Sequence, residues 1–176
     1  MVERLLQYQW SDGGWNCDRK KSAINSSYHE SLLPLRALIL HSKKIRNDTI
    51  ENAILNAKEL FLKRELFISQ RSSEIIHPNF VQLHYPHYWY YNILFALKVL
   101  GEGGFIKDPR CLKALDFIKS KELPTGGFPA EKKYYTVSST AKSRGSSVNW
   151  GGARKHQMNE FVTAEVLEVL KKASRL

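Results

Sequence analysis

The stretch His84–Tyr91 is the most unusual part of the chain, because every side chain in it except Pro86 is aromatic or an imidazole. Aromatic faces bind flat or apolar ligands and stabilise positive charge through their quadrupole. On a helix, residues three or four apart in this stretch share one face. We therefore expect five of its side chains to contact a ligand: His84, Tyr85, His87, Tyr88 and Tyr91. The alternative is packing between helices, which accounts most readily for Trp89 and Tyr90.

A second candidate group precedes the first long predicted helix. Glu30 is a candidate catalytic acid or base, and its neighbour His29 is a candidate ligand contact. Cys17, Asp18 and His29 together have the donor types that suit tetrahedral zinc. However, a capping box between Ser26–Ser27 and Glu30 explains the same residues without a metal, so we expect no metal site.

A third group leads into the last predicted helix. Its candidate ligand contacts and its candidate catalytic residue are Trp150, Arg154, Lys155, Asn159 and Glu160. Arg154 and Lys155 are suited to receive a pyrophosphate at a helix N-terminus, and Glu160 is suited to accept or relay a proton. The favoured alternative is a basic loop before a capped helix, since no second phosphate-binding element has a specific spacing. The sequence contains no G-x-x-x-x-G-K loop and no G-x-S-x-G elbow, and it predicts no cofactor.

Helical periodicity dominates the elements that must position these groups. Residues 50–62 keep a spacing near i, i+3, i+4, i+7 behind the N-cap candidates Asn47 and Asp48. Asp108 and Pro109 begin another helix in the same manner. Further helices are predicted over residues 3–8, 32–39, 93–100 and 161–170, the second of them kinked or started late at Pro34. Residues 134–147 are rich in Ser and Lys and predict a loop.

Two distant segments of the chain repeat each other. Leu5–Trp15 is similar to Phe117–Phe128, and both end in Gly-Gly followed by an aromatic residue. A more apolar helix is predicted to follow each of these segments and also the end of the helix over residues 50–62, where the Gly-Gly is missing. These helices cover residues 29–40, 86–100 and 157–170. The sequence thus predicts an all-α protein of three helical hairpins with a period of about 56 residues. All three belong to one domain that covers residues 1–176.

The repeated turn carries a resemblance to a known superfamily. Gln9–Trp15 resembles the QW motif of the terpenoid cyclases and the Gly-Gly-aromatic turn of protein prenyltransferase β subunits. Pro124–Phe128 repeats that turn, and Thr163–Glu165 resembles the Thr-Ala-Glu of cyclase inner helices. The resemblance implies an α/α toroid, in which outer and inner helices alternate around a central cavity. Three hairpins make half or part of such a ring, since a complete one has about six.

The function that this resemblance implies is the binding or transformation of an apolar, isoprenoid ligand in an aromatic-lined concave site. It also adds Trp15 to the expected ligand contacts. The motifs specify architecture and no reaction, because the sequence lacks the protonating Asp-x-Asp-Asp of the cyclases and the Asp-x-Cys of the prenyltransferases. An open array of hairpins leaves apolar faces at its ends, so we also expect a homo-oligomer.

Composition leaves two other functions open. The 27 Lys and Arg residues exceed the 17 acidic residues and give a net charge of +10, which favours anionic partners. Together with stacking aromatics this charge is compatible with nucleic-acid binding, the less favoured alternative. A non-enzymatic interaction scaffold is the other alternative, since hairpin arrays present concave surfaces to proteins. The sequence shows no secretory signal and no membrane-length apolar run, so it predicts a cytoplasmic protein without a transmembrane segment.

Overall fold

The computed structural model describes residues 1–18, 20 and 22–176 of the chain. Within these residues the predicted all-α class is confirmed, because six α-helices and two short 3₁₀ turns account for nearly all regular structure. The helices are α1 (Val2–Gln7), α2 (Tyr28–Ser42), α3 (Asp48–Leu62), α4 (Ile93–Glu102), α5 (Leu112–Lys119) and α6 (Glu160–Lys172). The 3₁₀ turns are Pro78–Val81 and Pro109–Cys111, and the two-residue strands β1 (Thr136–Val137) and β2 (Gly145–Ser146) pair in parallel. No helix of the described residues has both the length and the apolar character needed to cross a bilayer.

Side-chain caps fix several helix starts. The Asn47 side chain accepts hydrogen bonds from the Thr49 and Ile50 N–H groups at 2.9 and 3.2 Å, so the predicted cap of α3 is confirmed. Asp108 likewise accepts the N–H of Arg110 at 2.9 Å. Asparagine caps at the starts of α4 and α6 complete the set.

The predicted capping box at the start of α2 is wrong. Ser27 occupies the N-cap position without a side-chain hydrogen bond to the helix. The Ser26 hydroxyl bonds instead to Asp12 at 2.5 Å, and Glu30 accepts the N–H of Cys17 at 3.2 Å. Both side chains of the expected box therefore tie the helix start to the preceding loop. The helix itself begins at Tyr28, earlier than predicted, and continues through Pro34.

The helix predicted over residues 86–100 begins only at Ile93. Residues 84–92 form an irregular segment, and the Asn92 side chain caps the helix by accepting the Phe95 N–H at 2.8 Å. A residue before proline is disfavoured in the helical region, which opposes a helix through Tyr85 and Pro86. The aromatic residues of this segment therefore do not share a helix face.

Helix α4 lies at the centre of the packing. It contacts α2, α5 and α6. Helices α1 and α3 contact each other and α2. Apart from Lys98, residues 93–100 are all buried, which explains why this helix is nearly all apolar. The second helices of the three predicted pairs, α2, α4 and α6, thus lie side by side in chain order.

The two Gly-Gly turns have the same backbone hydrogen bonds. In the first turn the Trp10 N–H donates to the Gly14 carbonyl at 2.8 Å, and in the second the Leu123 N–H donates to the Gly127 carbonyl at 2.9 Å. The aromatic residues that follow are both buried, with Trp15 6% and Phe128 1% exposed. The sequence similarity of the two segments therefore reflects a shared local structure.

Candidate functional site

An aromatic cleft opens beside the start of α4. It has a volume of about 360 Å³, and its lining residues are Tyr88, Trp89, Tyr90, Tyr134, Arg144 and Gly145. Tyr88 and Trp89 are half exposed, whereas Tyr90 stacks on Tyr134 with 3.8 Å between ring centroids. This arrangement offers ring faces to a flat or apolar molecule and a guanidinium to an anionic group. Trp89, Tyr90, Tyr134 and Arg144 were absent from the residues predicted to contact a ligand.

His29 packs against Trp89, one of the residues that line the cleft. Its ring stacks on Trp89 with centroids 4.9 Å apart and an interplanar angle of 18°. The N–H of Tyr91 donates to His29 Nδ1 at 2.8 Å, so the neutral ring carries its proton on Nε2. Burial, followed by the nearby His77, lowers the pKa of His29 and favours this neutral form. The start of α2 and the aromatic segment are thereby joined, a contact that the sequence analysis did not predict.

His84 contacts Tyr134, another residue that lines the cleft. The Tyr134 ring meets it edge to face at a centroid distance of 4.9 Å. His84 is only 1% exposed, and neither of its ring nitrogens makes a hydrogen bond of ordinary geometry within the described residues. Burial, reinforced by the neighbouring His87, lowers the pKa of His84 to about 3, although the Pro86 carbonyl acts in the opposite direction. His84 is therefore neutral near pH 7.

Glu165 forms a buried ionic cluster with His87 and Lys98. One of its oxygens bonds to His87 Nε2 and the other to Lys98 Nζ. The His87 ring stacks on Phe95, with centroids 4.5 Å apart and planes within 3°. Burial acts to raise the pKa of Glu165, but the hydrogen bonds and charges of His87 and Lys98 outweigh it and leave the pKa below its ordinary value. The cluster thus holds an ionised carboxylate between α4, α6 and the aromatic segment.

Glu165 is a residue that the sequence analysis missed as a site residue. It was noted only within the segment Thr163–Glu165. The available signal was its helical register, because Val162, Val166 and Val169 share its buried face of α6. A single carboxylate on an apolar helix face needs a buried partner, and the chain provides His87 and Lys98.

The remaining aromatic candidates make packing contacts or backbone hydrogen bonds outside the cleft lining, and their role as ligand contacts stays a prediction. Tyr85 stacks on Phe161 at 5.1 Å, and Trp150 meets both rings edge to face. Tyr91 is buried, and its hydroxyl donates to the Leu66 carbonyl at 2.6 Å. The Trp15 indole N–H donates to the Leu5 carbonyl at 2.8 Å.

The polar candidates near α6 lie apart from the cleft lining. Asn159 caps the helix by accepting the Val162 N–H at 3.0 Å, and its amide donates to the Trp150 carbonyl at 2.8 Å. Arg154 and Lys155 are exposed, and the Arg154 guanidinium bonds to Gln157. Glu160 is exposed as well. A role of these side chains, or of Glu30, in binding or catalysis remains a prediction.

The described residues contain no group of three or more His, Cys, Asp or Glu side chains placed to hold a metal ion. Cys17 is exposed and Cys111 is buried, and neither forms a disulfide. No protein-family model, curated protein or solved structure matches the chain. The function therefore has to be argued from the cleft and its surroundings.

Proposed function

We propose that the aromatic cleft binds a flat or apolar organic molecule. The observation that carries this proposal is the convergence of four aromatic side chains and Arg144 on one space of about 360 Å³. That volume lies at the lower end of the range of roughly 300–1,000 Å³ found for small-molecule sites. Because Trp89 and Tyr88 are half exposed, their faces are open to a ligand before it binds.

The helix order supports a more specific form of the proposal. The contacts of α4 with both α2 and α6 and the two equivalent Gly-Gly turns are compatible with an arc of three α/α-toroid hairpins. If the chain is such an arc, the resemblance makes an isoprenoid the expected ligand. The aromatic faces would then cover its apolar chain or stabilise positive charge that develops on it.

A binding titration with farnesol tests this proposal. We expect saturable binding to the wild-type chain, measured by calorimetry, and about tenfold weaker binding to Trp89→Leu, the equivalent of about 1.4 kcal/mol. Tyr8→Leu is the matched control, because Tyr8 is exposed near α1 and does not line the cleft. Equal affinity for both variants, or no binding to the wild type, would contradict the proposal and favour a scaffold role.

A second candidate is single-stranded nucleic acid. It is favoured by one observation, the half-exposed rings of Tyr88 and Trp89 beside Arg144 on a chain of net charge +10. Stacking on exposed rings with nearby cations is how sequence-tolerant proteins hold single strands. Fluorescence anisotropy with a labelled oligothymidine at low and high salt tests it, since phosphate contacts make the affinity fall steeply with salt.

A further inference from the structure

The positive charge of the chain is concentrated in one stretch beside the aromatic cleft. Residues 132–159, the basic segment, contain six Lys and Arg residues and no Asp or Glu, so they hold six of the ten net positive charges. The six cations are Lys132, Lys133, Lys142, Arg144, Arg154 and Lys155. A local excess of this kind raises the concentration of anions around the surface that carries it.

The cations of the basic segment have no carboxylate partner within the described part of the chain. The ion pairs of the described residues all lie outside the segment. Glu131, the carboxylate that precedes it, is already bonded to Lys121. The Arg154 guanidinium bonds to the neutral Gln157. All six cations except the half-buried Lys132 are exposed, so they remain available to an anion from outside.

The basic segment folds back on itself, and this brings cations from distant positions of the segment to the same part of the surface. The N–H of Arg154 donates to the Ala130 carbonyl at 2.8 Å. The N–H of Thr136 donates to the Arg144 carbonyl, also at 2.8 Å. Residues 132–133 lie between these two tied points of the backbone. The lysines at 132–133 are therefore close along the chain to the points that hold Arg144 and Arg154.

The same fold places the basic segment next to exposed aromatic rings. Arg144 and Tyr134 line the cleft together with Tyr88 and Trp89, whose side chains are 49% and 50% exposed. A single-stranded nucleic acid fits both features, because its bases stack on aromatic faces and its phosphates bind Lys and Arg. An acidic membrane also attracts cations, but it is commonly held by an amphipathic helix with a basic face. Residues 132–159, all of which the structure describes, contain no helix.

We propose that the basic segment is the phosphate-binding surface for a single-stranded nucleic acid whose bases stack on Tyr88 and Trp89. The strand leaves the cleft at Arg144 and continues across the segment towards Arg154 and Lys155. Phosphate contacts carry no sequence information, so the surface binds strands with little sequence preference. The inference rests on the second candidate function and adds to it the surface that holds the backbone of the strand.

The salt dependence of binding tests this surface. The probe is a labelled oligothymidine of about twelve nucleotides, followed by fluorescence anisotropy. Each phosphate contact of a single strand adds about 0.7 to the steepness with which log K falls against the logarithm of the salt concentration. The double variant Arg154→Gln, Lys155→Gln removes two cations that do not line the cleft. We expect it to lower the affinity at low salt by about tenfold and to reduce the slope by about 1.4.

A second double variant, Lys43→Gln with Lys44→Gln, is the matched control. It removes the same charge just after the C-terminal end of α2, whereas His29, which stacks on Trp89, lies in the first turn of that helix. Its slope should equal that of the wild type. Both double variants should keep the helical circular dichroism of the wild type, since all four positions are exposed.

The outcomes separate this inference from the second candidate function. Equal slopes for the two double variants, with binding that Trp89→Leu still weakens, would overturn the phosphate-binding surface and leave the cleft as a nucleic-acid site. Failure of the wild type to bind the oligothymidine would count against both. Sedimentation of the wild type with vesicles that contain phosphatidylserine, without binding of the oligothymidine, would assign the cations to an acidic membrane and would also overturn the inference.

Discussion

The hydroxyl of Thr163 accepts the backbone N–H of Phe128 at 2.9 Å and lies 3.2 Å from the carbonyl oxygen of the same residue. Ser31 and Trp15 have the same relationship in the first hairpin, at 2.9 and 3.1 Å. In both cases a hydroxyl in the second turn of a helix, α6 or α2, holds the aromatic residue that follows a Gly-Gly turn. The repeat therefore includes a side-chain tether whose two members lie far apart in sequence.

The tether predicts the effect of an isosteric substitution. Thr163→Val keeps the shape of the side chain but leaves the buried Phe128 N–H without an acceptor, so we expect a loss of about 1–3 kcal/mol in the free energy of unfolding. Urea denaturation followed by circular dichroism measures it. Thr49→Val, at an exposed position of α3, should change stability by less than about 0.5 kcal/mol. Similar losses for both variants would mean that the tether does not stabilise the turn.

Substitution of two glycines by alanine should change the stability of the fold in different directions. A Cβ at Gly14 would lie 2.5 Å from Ser26 Cβ and 2.6 Å from Leu60 Cδ2, so Gly14→Ala should destabilise the fold by about 1–3 kcal/mol. A Cβ at Gly101, inside α4, would meet only the flexible end of Lys172 at 3.2 Å and side-chain atoms of Ile106 beyond it. Gly101→Ala should therefore be neutral or stabilise by up to about 1 kcal/mol. Thermal unfolding of the two variants decides, and a stable Gly14→Ala protein would contradict the turn geometry.

The helices and turns could be predicted because their signals are local. Periodicity places α3, and the Gly-Gly pairs give both turns with their buried aromatic residues. The aromatic stretch misled the prediction because the helix was expected to start at Pro86, whereas in the structure it starts after Asn92, whose side chain caps α4. Trp89 is half exposed whereas Tyr91 is buried. The order of residue types along this stretch does not predict that difference, because it depends on tertiary packing.

The ionic cluster shows what sequence reasoning could not reach. His87 and Glu165 are 78 residues apart, and they meet through the tertiary packing of α6 against α4 and the segment that precedes α4. Lys98 joins them from the one position of residues 93–100 that is not buried. Pairing of this kind follows from tertiary contacts, so a search for motifs of fixed spacing finds Glu30 and Glu160 more easily than Glu165.

The buried neutral imidazole of His84 predicts a loss of stability in mild acid. Unfolded His84 takes up a proton below its ordinary pKa of about 6.5, whereas the folded form resists protonation until about pH 3. Stability is therefore lost as the pH falls through this interval, by at most about 1.4 kcal/mol for each pH unit. Urea unfolding of the wild type and His84→Phe between pH 7 and 5 measures the difference. Parallel pH profiles for the two proteins would show that His84 is not buried in its neutral form.

Three exposed leucines form candidate contacts for the predicted homo-oligomer. Leu33 and Leu40 on α2 and Leu167 on α6 are each more than a third exposed. If a second copy covers them, light scattering should give a mass above that of one chain at micromolar concentration. Leu40→Lys should then shift the equilibrium towards the monomer, because burying a charge without a partner is costly. Val137→Lys, on the exposed strand β1, is the control. A single-chain mass for the wild type would contradict the prediction.

We expect the ionic cluster around Glu165 to contribute more to the free energy of unfolding than a surface ion pair does. Glu165→Ala removes the carboxylate partner of the buried His87 side chain and of the partly buried Lys98, and breaking a buried pair costs about 3–5 kcal/mol. Glu122→Ala removes the partner of Lys119 in a pair whose side chains are nearly half exposed, and it should cost less than about 1 kcal/mol. Glu165→Gln retains a hydrogen-bonding group of the same shape, so its loss should fall between the two. Urea denaturation at pH 7 provides all three values, and a Glu165→Ala loss as small as that of Glu122→Ala would show that the cluster is open to water.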